Sequence, residues 1–108
     1  MRRFVSLRRR ADFARLRRFG RRVSTKSLTI YRSDAQAGDS APVVGITVSK
    51  LLGKAVLRNK LRRRLSAIVH YALGERRRMR LLIVPRPVAA GLAYDELLAE
   101  VTSALAGG

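Results

Sequence analysis

Between Ser49 and Tyr71 the chain carries seven cationic side chains and no acidic one, while leucines recur at helical spacing. No other feature limits the fold as much. Like charges three and four residues apart repel one another on an isolated helix. A merely solvated helical face would intersperse glutamate among those cations, and this one does not. The segment therefore reads as a helix whose apolar stripe is packed on a scaffold and whose charge is met by a polyanion. Its spacing predicts a helix from about Ala55 to Leu73, stopped by Gly74. Leu57, Leu61, Leu65, Ile68 and Ala72 fall on one stripe, with Asn59, Arg62, Arg63, Ser66 and His70 opposite.

The rest of the chain has the same bias. Lys and Arg total 24 against 7 Asp and Glu, a net charge of +17 in 108 residues. Such a surplus on a compact domain points first to a nucleic-acid partner. Only Lys26, Lys50, Lys54 and Lys60 are lysines. The remaining cations are arginines, whose forked guanidinium groups suit phosphates and bases. A hydrophobic content of 47% argues for a folded chain over a polybasic tail. The length fits one domain spanning 1–108.

Several chemistries are excluded or disfavoured. Without cysteine there are no disulfides or thiolate metal sites, and a single histidine, His70, rules out a His-rich zinc centre. The acids form no close pair except Asp95 and Glu96, which open the last helix where its dipole favours anions. A protein-borne active site or metal site is therefore not expected. The opening "MRRFVSLRRRADF" lacks an apolar run of signal-peptide length, and no segment could span a bilayer, so a cytoplasmic location is expected.

Along the chain, Leu7, Ala11, Phe13, Ala14 and Leu16 suit a short helix ended by Gly20. "TKSLTIYR" alternates Leu28 and Ile30 against Thr29 and Tyr31, which reads as a strand. The small, polar stretch 33–42 reads as a loop, and "VVGITVS" (43–49) as a second strand. After the cationic helix, "MRLLIVPRP" (79–87) is a buried-type strand cut short by Pro85 and Pro87. "VAAGLA" is a loop and "YDELLAEVTSALA" a final amphipathic helix. The order is α-β-β-α-β-α, with a βαβ unit from 43 to 86.

Lys50, Gly53 and Lys54 precede the cationic helix in a turn suited to phosphate, although "GK" lacks full P-loop spacing. Asn59 is a neutral donor and acceptor among cations. Phe13 in the basic first helix, and Tyr31 beside Thr29, offer rings on which single-stranded bases could stack. Core packing for Phe13 and a strand-edge place for Tyr31 is the competing reading.

"SKLLGKAVLRNKLRRRL" resembles the signature of the bacterial ribonuclease P protein subunit. "RRRADFARLRRFGRR", "LTIY", "VGITVSK", "LIVPRP" and "YDELLAEV" are similar to that family's first helix, strands and last helix. The resemblance implies an α+β fold, an α/β sandwich like the second domain of a small-subunit ribosomal protein. It also implies a left-handed βαβ crossover, where handedness rules alone favour the right-handed form.

The implied activity is removal of the 5′ leader of precursor tRNA by a catalytic RNA partner, one protein per RNA, with Mg2+ bound mainly by the RNA. Carried over, Arg58, Asn59, Lys60, Arg62 and Arg63 are RNA-binding, and Lys50 and Lys54 extend the positive rim. Phe13, Tyr31 and Thr47 line the cleft for the single-stranded leader. The sequence departs from the family at Ser66 and Leu51, where Arg and Lys are frequent, at Arg17, where a second cleft aromatic is common, and at Pro85. A structural ribosomal RNA-binding protein is the alternative reading, and a DNA-compacting protein a third.

Overall fold

The structure, a computed structural model, describes residues 4–73 and 78–106. In chain order the elements are β1 (Val5–Ser6), α1 (Arg10–Phe19), β2 (Arg21–Ser24), β3 (Leu28–Asp34) and β4 (Val43–Ile46). A short 3-10 turn (Lys50–Leu52), α2 (Ala55–Leu73), β5 (Met79–Pro85), a second 3-10 turn (Pro87–Gly91) and α3 (Tyr94–Ala106) complete it. The strands form one mixed sheet in the order β1-β4-β5-β3-β2. β1 and β5 both run parallel to β4, while β3 is antiparallel to β5 and to β2. The parallel neighbours β4 and β5 are joined through α2, which is the βαβ unit expected from the sequence.

Alternation along the strands divides the core into two layers. Leu28 and Ile30 of β3, Val44 of β4, and Leu81 and Ile83 of β5 pack with Leu61, Leu65, Ile68 and Val69 of α2 and Leu97 and Val101 of α3. On the other face Leu82 of β5 and Val43 of β4 pack with Leu7 and with Leu16 of α1, joined by Phe13, Tyr31 and Val84. The sheet thus lies between α2 and α3 on one side and α1 on the other. Its α1 side is only partly covered.

Gly45 makes this covering possible. A Cβ there would sit 2.9 Å from Phe13 Cε1 and 3.1 Å from Leu7 Cδ2, so the missing side chain lets α1 lie directly on β4.

Several sequence expectations shift. β1 and β2 add two strands that the α-β-β-α-β-α order lacked. The strand expected at 25–32 forms at 28–34, taking Ser33 and Asp34 from the expected loop. Ladder pairing in β4 ends at Ile46, although the Thr47 N–H still donates to the Ile83 carbonyl at 3.0 Å. Leu7 precedes α1, and Ala11 and Ala14 are exposed, because only the Phe13–Leu16 side of that helix meets the sheet. In α2, Leu57, in the first turn, is 51% exposed, while Val69 and Leu73 join the buried stripe. Ser66 and His70 are half-buried. Pro85 is paired opposite Leu28 and is the last residue of β5, so the strand ends one residue before the expected 86. The expected Gly74 stop lies outside the described residues. Both long helices, α2 and α3, match their expected spans.

Candidate nucleic-acid interface

The open part of the α1-side sheet face is built by register. Arg22 pairs with Tyr31 and Ser24 with Thr29 across β2 and β3. Tyr31 pairs with Leu82 and Thr29 with Val84 across β3 and β5, and Gly45 pairs with Leu82 across β4 and β5. All of these side chains share one face. Thr47, two residues beyond Gly45, continues the row that holds Thr29 and Val84.

Phe13 and Tyr31, both half-buried, belong to the same apolar cluster, so the structure brings the two expected rings together on one sheet face. Each ring packs against the cluster while keeping part of its surface exposed. Core packing and base stacking are therefore compatible roles for these residues.

Arg86 is a member of this face that sequence reading did not single out. Its Nη1 donates to Thr29 Oγ1 at 2.8 Å and to Ser24 Oγ at 3.4 Å, and its Nη2 donates to the Thr25 carbonyl. The guanidinium is thereby held over the turn from β2 into the start of β3. The paired prolines around it were the available signal, since they fix a strand end where a side chain can turn back over the sheet.

The cationic helix is sorted by angle. At 100° per residue Arg58 falls between Leu65 and Val69, on the buried side at the start of α2, and Arg64 flanks the stripe at its opposite edge. Arg64 turns inward, donating from Nη1 to the Leu92 carbonyl at 2.9 Å. Arg58 is half-buried, with an Nε that has no hydrogen-bond partner among the described residues. Asn59, Lys60, Arg62 and Arg63 are exposed, and Arg62 Nη1 donates to Asn59 Oδ1 at 3.1 Å. That contact leaves the Asn59 amide and most of the guanidinium facing outward.

Lys50 and Lys54 are both exposed ahead of α2. Between them Gly53 adopts φ of +118°, a conformation that other residues rarely reach, which lets the chain reverse into the helix. The two lysines and the α2 cations follow one another along a single stretch that continues directly from Thr47. No acidic side chain interrupts it.

Two carboxylate clamps fix the frame. Asp39 takes a two-pronged contact from Arg80, with Nε to Oδ2 and Nη2 to Oδ1 both at 3.0 Å, and also accepts the Gln36 N–H. Arg80 reaches Asp12 of α1 at 3.5 Å as well, so one guanidinium ties the loop, α1 and β5 together. The hydrogen bond from Arg80 and that from Gln36 hold the Asp39 carboxyl below its ordinary value. At the other end Glu100 of α3 accepts from Ser27 N–H and Oγ and from Thr25 Oγ1. Burial alone would push the Glu100 carboxyl up. The three donors, with Arg86 nearby, outweigh it and hold the group below its ordinary value. The expected capping role of the first turn of α3 takes the form of the Ala93 N–H donating to Glu96 Oε1 at 3.1 Å.

A helix with a run of cations and no acid between them, on a mixed sheet whose other face carries two half-buried rings, fits an RNA-binding α+β sandwich. Comparison with known proteins narrows the class. Residues 1–107 match the Ribonuclease P family. The ribonuclease P protein component of Thermobifida fusca is 41% identical over 106 residues, covering 92% of this chain and 72% of that protein. The corresponding protein of Acidothermus cellulolyticus is 38% identical over 95 residues, covering 87% and 79%. The solved RNase P protein of Staphylococcus aureus superposes with a TM-score of 0.82 at 24% identity, covering 93% and 91%. That of Thermotoga maritima gives 0.78 at 20% identity, covering 93% and 94%.

This chain belongs to the ribonuclease P family, as the protein subunit of that endoribonuclease. The match favours the ribonuclease P reading over the ribosomal alternative.

Proposed function

We propose that this subunit grips the catalytic RNA through α2 and positions the 5′ leader of precursor tRNA on the open sheet face, so that the leader is removed endonucleolytically to give the mature 5′ end. The observation that carries the reading is the cation run from Lys50 to Arg64 with no acidic residue among it. Arg58, Asn59, Lys60, Arg62 and Arg63 contact the RNA backbone, and Lys50 and Lys54 widen the positive rim. Each phosphate neutralised releases condensed counterions, which makes the affinity steeply salt-dependent.

Phe13 and Tyr31 stack leader bases, and Thr47 offers a hydroxyl at the cleft end. Stacking accepts any base, which suits a subunit that must serve many different leaders. Holding the leader fixes the scissile bond relative to the RNA, and restricting that motion raises the rate without chemistry from a side chain.

Magnesium belongs mainly to the RNA in this proposal. Among the described residues no three carboxylate or imidazole groups gather to hold a metal ion. The protein's work is binding, orientation and charge screening. One protein per RNA, acting in the cytoplasm, completes the reading. Among the described residues no helix is long and apolar enough to cross a membrane.

Reconstitution tests it. Added to a bacterial ribonuclease P RNA at low magnesium, the protein should restore leader removal. Cleavage of precursor tRNA by the protein without RNA, or no assistance to the ribozyme, would overturn the proposal.

A further inference from the structure

Phe19, the last residue of α1, is 74% exposed although it is one of few aromatic side chains in a strongly basic chain. It lies away from the Phe13–Tyr31 face, on the side of α1 that carries Asp12 and Arg15. The Arg18 guanidinium lies 5.3 Å from its ring centroid. Two adjoining clefts meet at this ring. One, of about 300 Å3, is bordered by Arg15, Ser33, Asp34 and Gln36. The other, of about 360 Å3, is bordered by Arg21, Asp34 and Arg78.

The placement of Phe19 has a structural cause. A Cβ on Gly20 would lie 2.5 Å from the Leu16 carbonyl and 3.2 Å from that of Arg32, so only glycine lets the end of α1 close onto β3. That closure sets the ring at the lip of both clefts.

We propose that Phe19 and Arg18 form a second stacking platform, which takes one unpaired RNA base outside the leader cleft. An isolated exposed apolar residue needs no explanation, but this ring has cations on several sides. Arg15, Arg18, Arg21 and Arg78 are all exposed around it. Of the nearby carboxylates, Asp12 and Asp39 are engaged by Arg80. Asp34 remains at the rim, where it accepts hydrogen bonds from a base amino group, as Ser33 and Gln36 also can. An aromatic face for the base, guanidinium groups for its flanking phosphates and acceptors for its edge make up the chemistry of a single-nucleotide site. The inference rests on the proposed RNA-binding function and adds a contact to it.

The chain has no tryptophan, so Phe19→Trp gives a single reporter at the site and Phe13→Trp a single reporter in the leader cleft. Each is titrated with catalytic RNA alone and with precursor tRNA alone, with binding followed separately by filter retention. Quenching of the Phe19→Trp emission by either RNA supports the platform and identifies the source of the base. Unchanged emission at saturation with both RNAs overturns it. Phe19→Ala and Phe19→Leu should each weaken binding to the quenching RNA by about fivefold to a hundredfold while Phe19→Trp retains it. Full affinity in the leucine variant would also overturn stacking. Wild-type protein that binds RNA but does not assist cleavage would sink the proposed function while leaving these readouts intact.

Discussion

The Glu100 carboxylate on α3 accepts both the N–H and the Oγ–H of Ser27, at 2.9 and 2.8 Å, and Ser27 is completely buried. This contact spans 73 residues of sequence and locks the turn before β3 onto the last helix. Ser27 in turn offers its carbonyl to the Arg86 N–H at 2.8 Å, so the clamp also fixes the start of the open sheet face.

Removing Glu100 leaves buried donors without an acceptor. Glu100→Ala should cost about 1–3 kcal/mol, read as a lower urea midpoint with unchanged slope. The pH dependence follows from the sign of the shift. The folded carboxyl titrates below its ordinary 4.5, so its stabilisation is fully present above that value and is lost as pH falls through the depressed one. The stability gap between wild type and Glu100→Gln should therefore be constant near neutrality and shrink below about pH 4.5. A gap that widens in acid would refute the assignment.

Arg80 and Asp39 form the second long-range tie, 41 residues apart, with side chains only 12% and 10% exposed. A double-mutant cycle with Arg80→Met and Asp39→Asn should give a coupling of about 1–3 kcal/mol, above that of exposed pairs. Arg80→Met alone should be the more damaging change, because it strands both Asp39 and Asp12. Additive losses in chemical denaturation would show that the pair contributes no specific energy.

What could be read in advance divides along physical lines. α2 and α3 were legible to the residue because each repeats an apolar stripe over three or more turns, and capping acids mark the start of α3. β1 offers two residues, too few to show a period, and β2 reads Arg-Arg-Val-Ser, with one apolar side chain. Both form because neighbouring strands supply their hydrogen-bond partners. The exposed cations of α2 were legible in the missing acids around them. Arg22 and Arg86 were not, since their place beside Tyr31 and Thr29 depends on register between β2, β3 and β5. The Asp39–Arg80 tie was hidden for the same reason, as no local pattern announces a pair that only folding brings together.

Gly45→Ala tests how closely α1 is seated. The added methyl meets the Phe13 ring edge at 2.9 Å and Leu7 Cβ at 3.2 Å, and the Leu7 atom cannot swing away as a side-chain tip could. Overpacking of this kind should cost about 1–3 kcal/mol. Because relief must displace Phe13, the variant should also bind leader-bearing precursor more weakly than its stability loss alone explains. Wild-type stability would mean that α1 sits higher on the sheet than described.

On α2, neutralising Arg58, Arg62 and Arg63 together to glutamine should weaken binding to the catalytic RNA. The plot of log affinity against log salt should flatten by up to about three units if each contacts a phosphate. Arg64→Gln should leave that slope alone, since its guanidinium is committed to the Leu92 carbonyl. An unchanged slope in the triple variant would remove α2 from the interface.

The proposed leader cleft makes a sharper demand, tested with mature tRNA and a precursor that differs from it by the leader alone. Phe13→Ala and Tyr31→Ala should each weaken precursor binding by about 1–3 kcal/mol, the range for one stacked base, and leave mature tRNA nearly unaffected. Phe13 also packs against Gly45 and Leu7, so its truncation will lower thermal stability as well. Comparison of the two ligands on the same variant cancels that general loss. Tyr31→Phe keeps the ring and should keep the discrimination, which separates stacking from hydrogen bonding through the phenol. Equal losses on precursor and mature tRNA would assign both rings to the core and move the leader elsewhere.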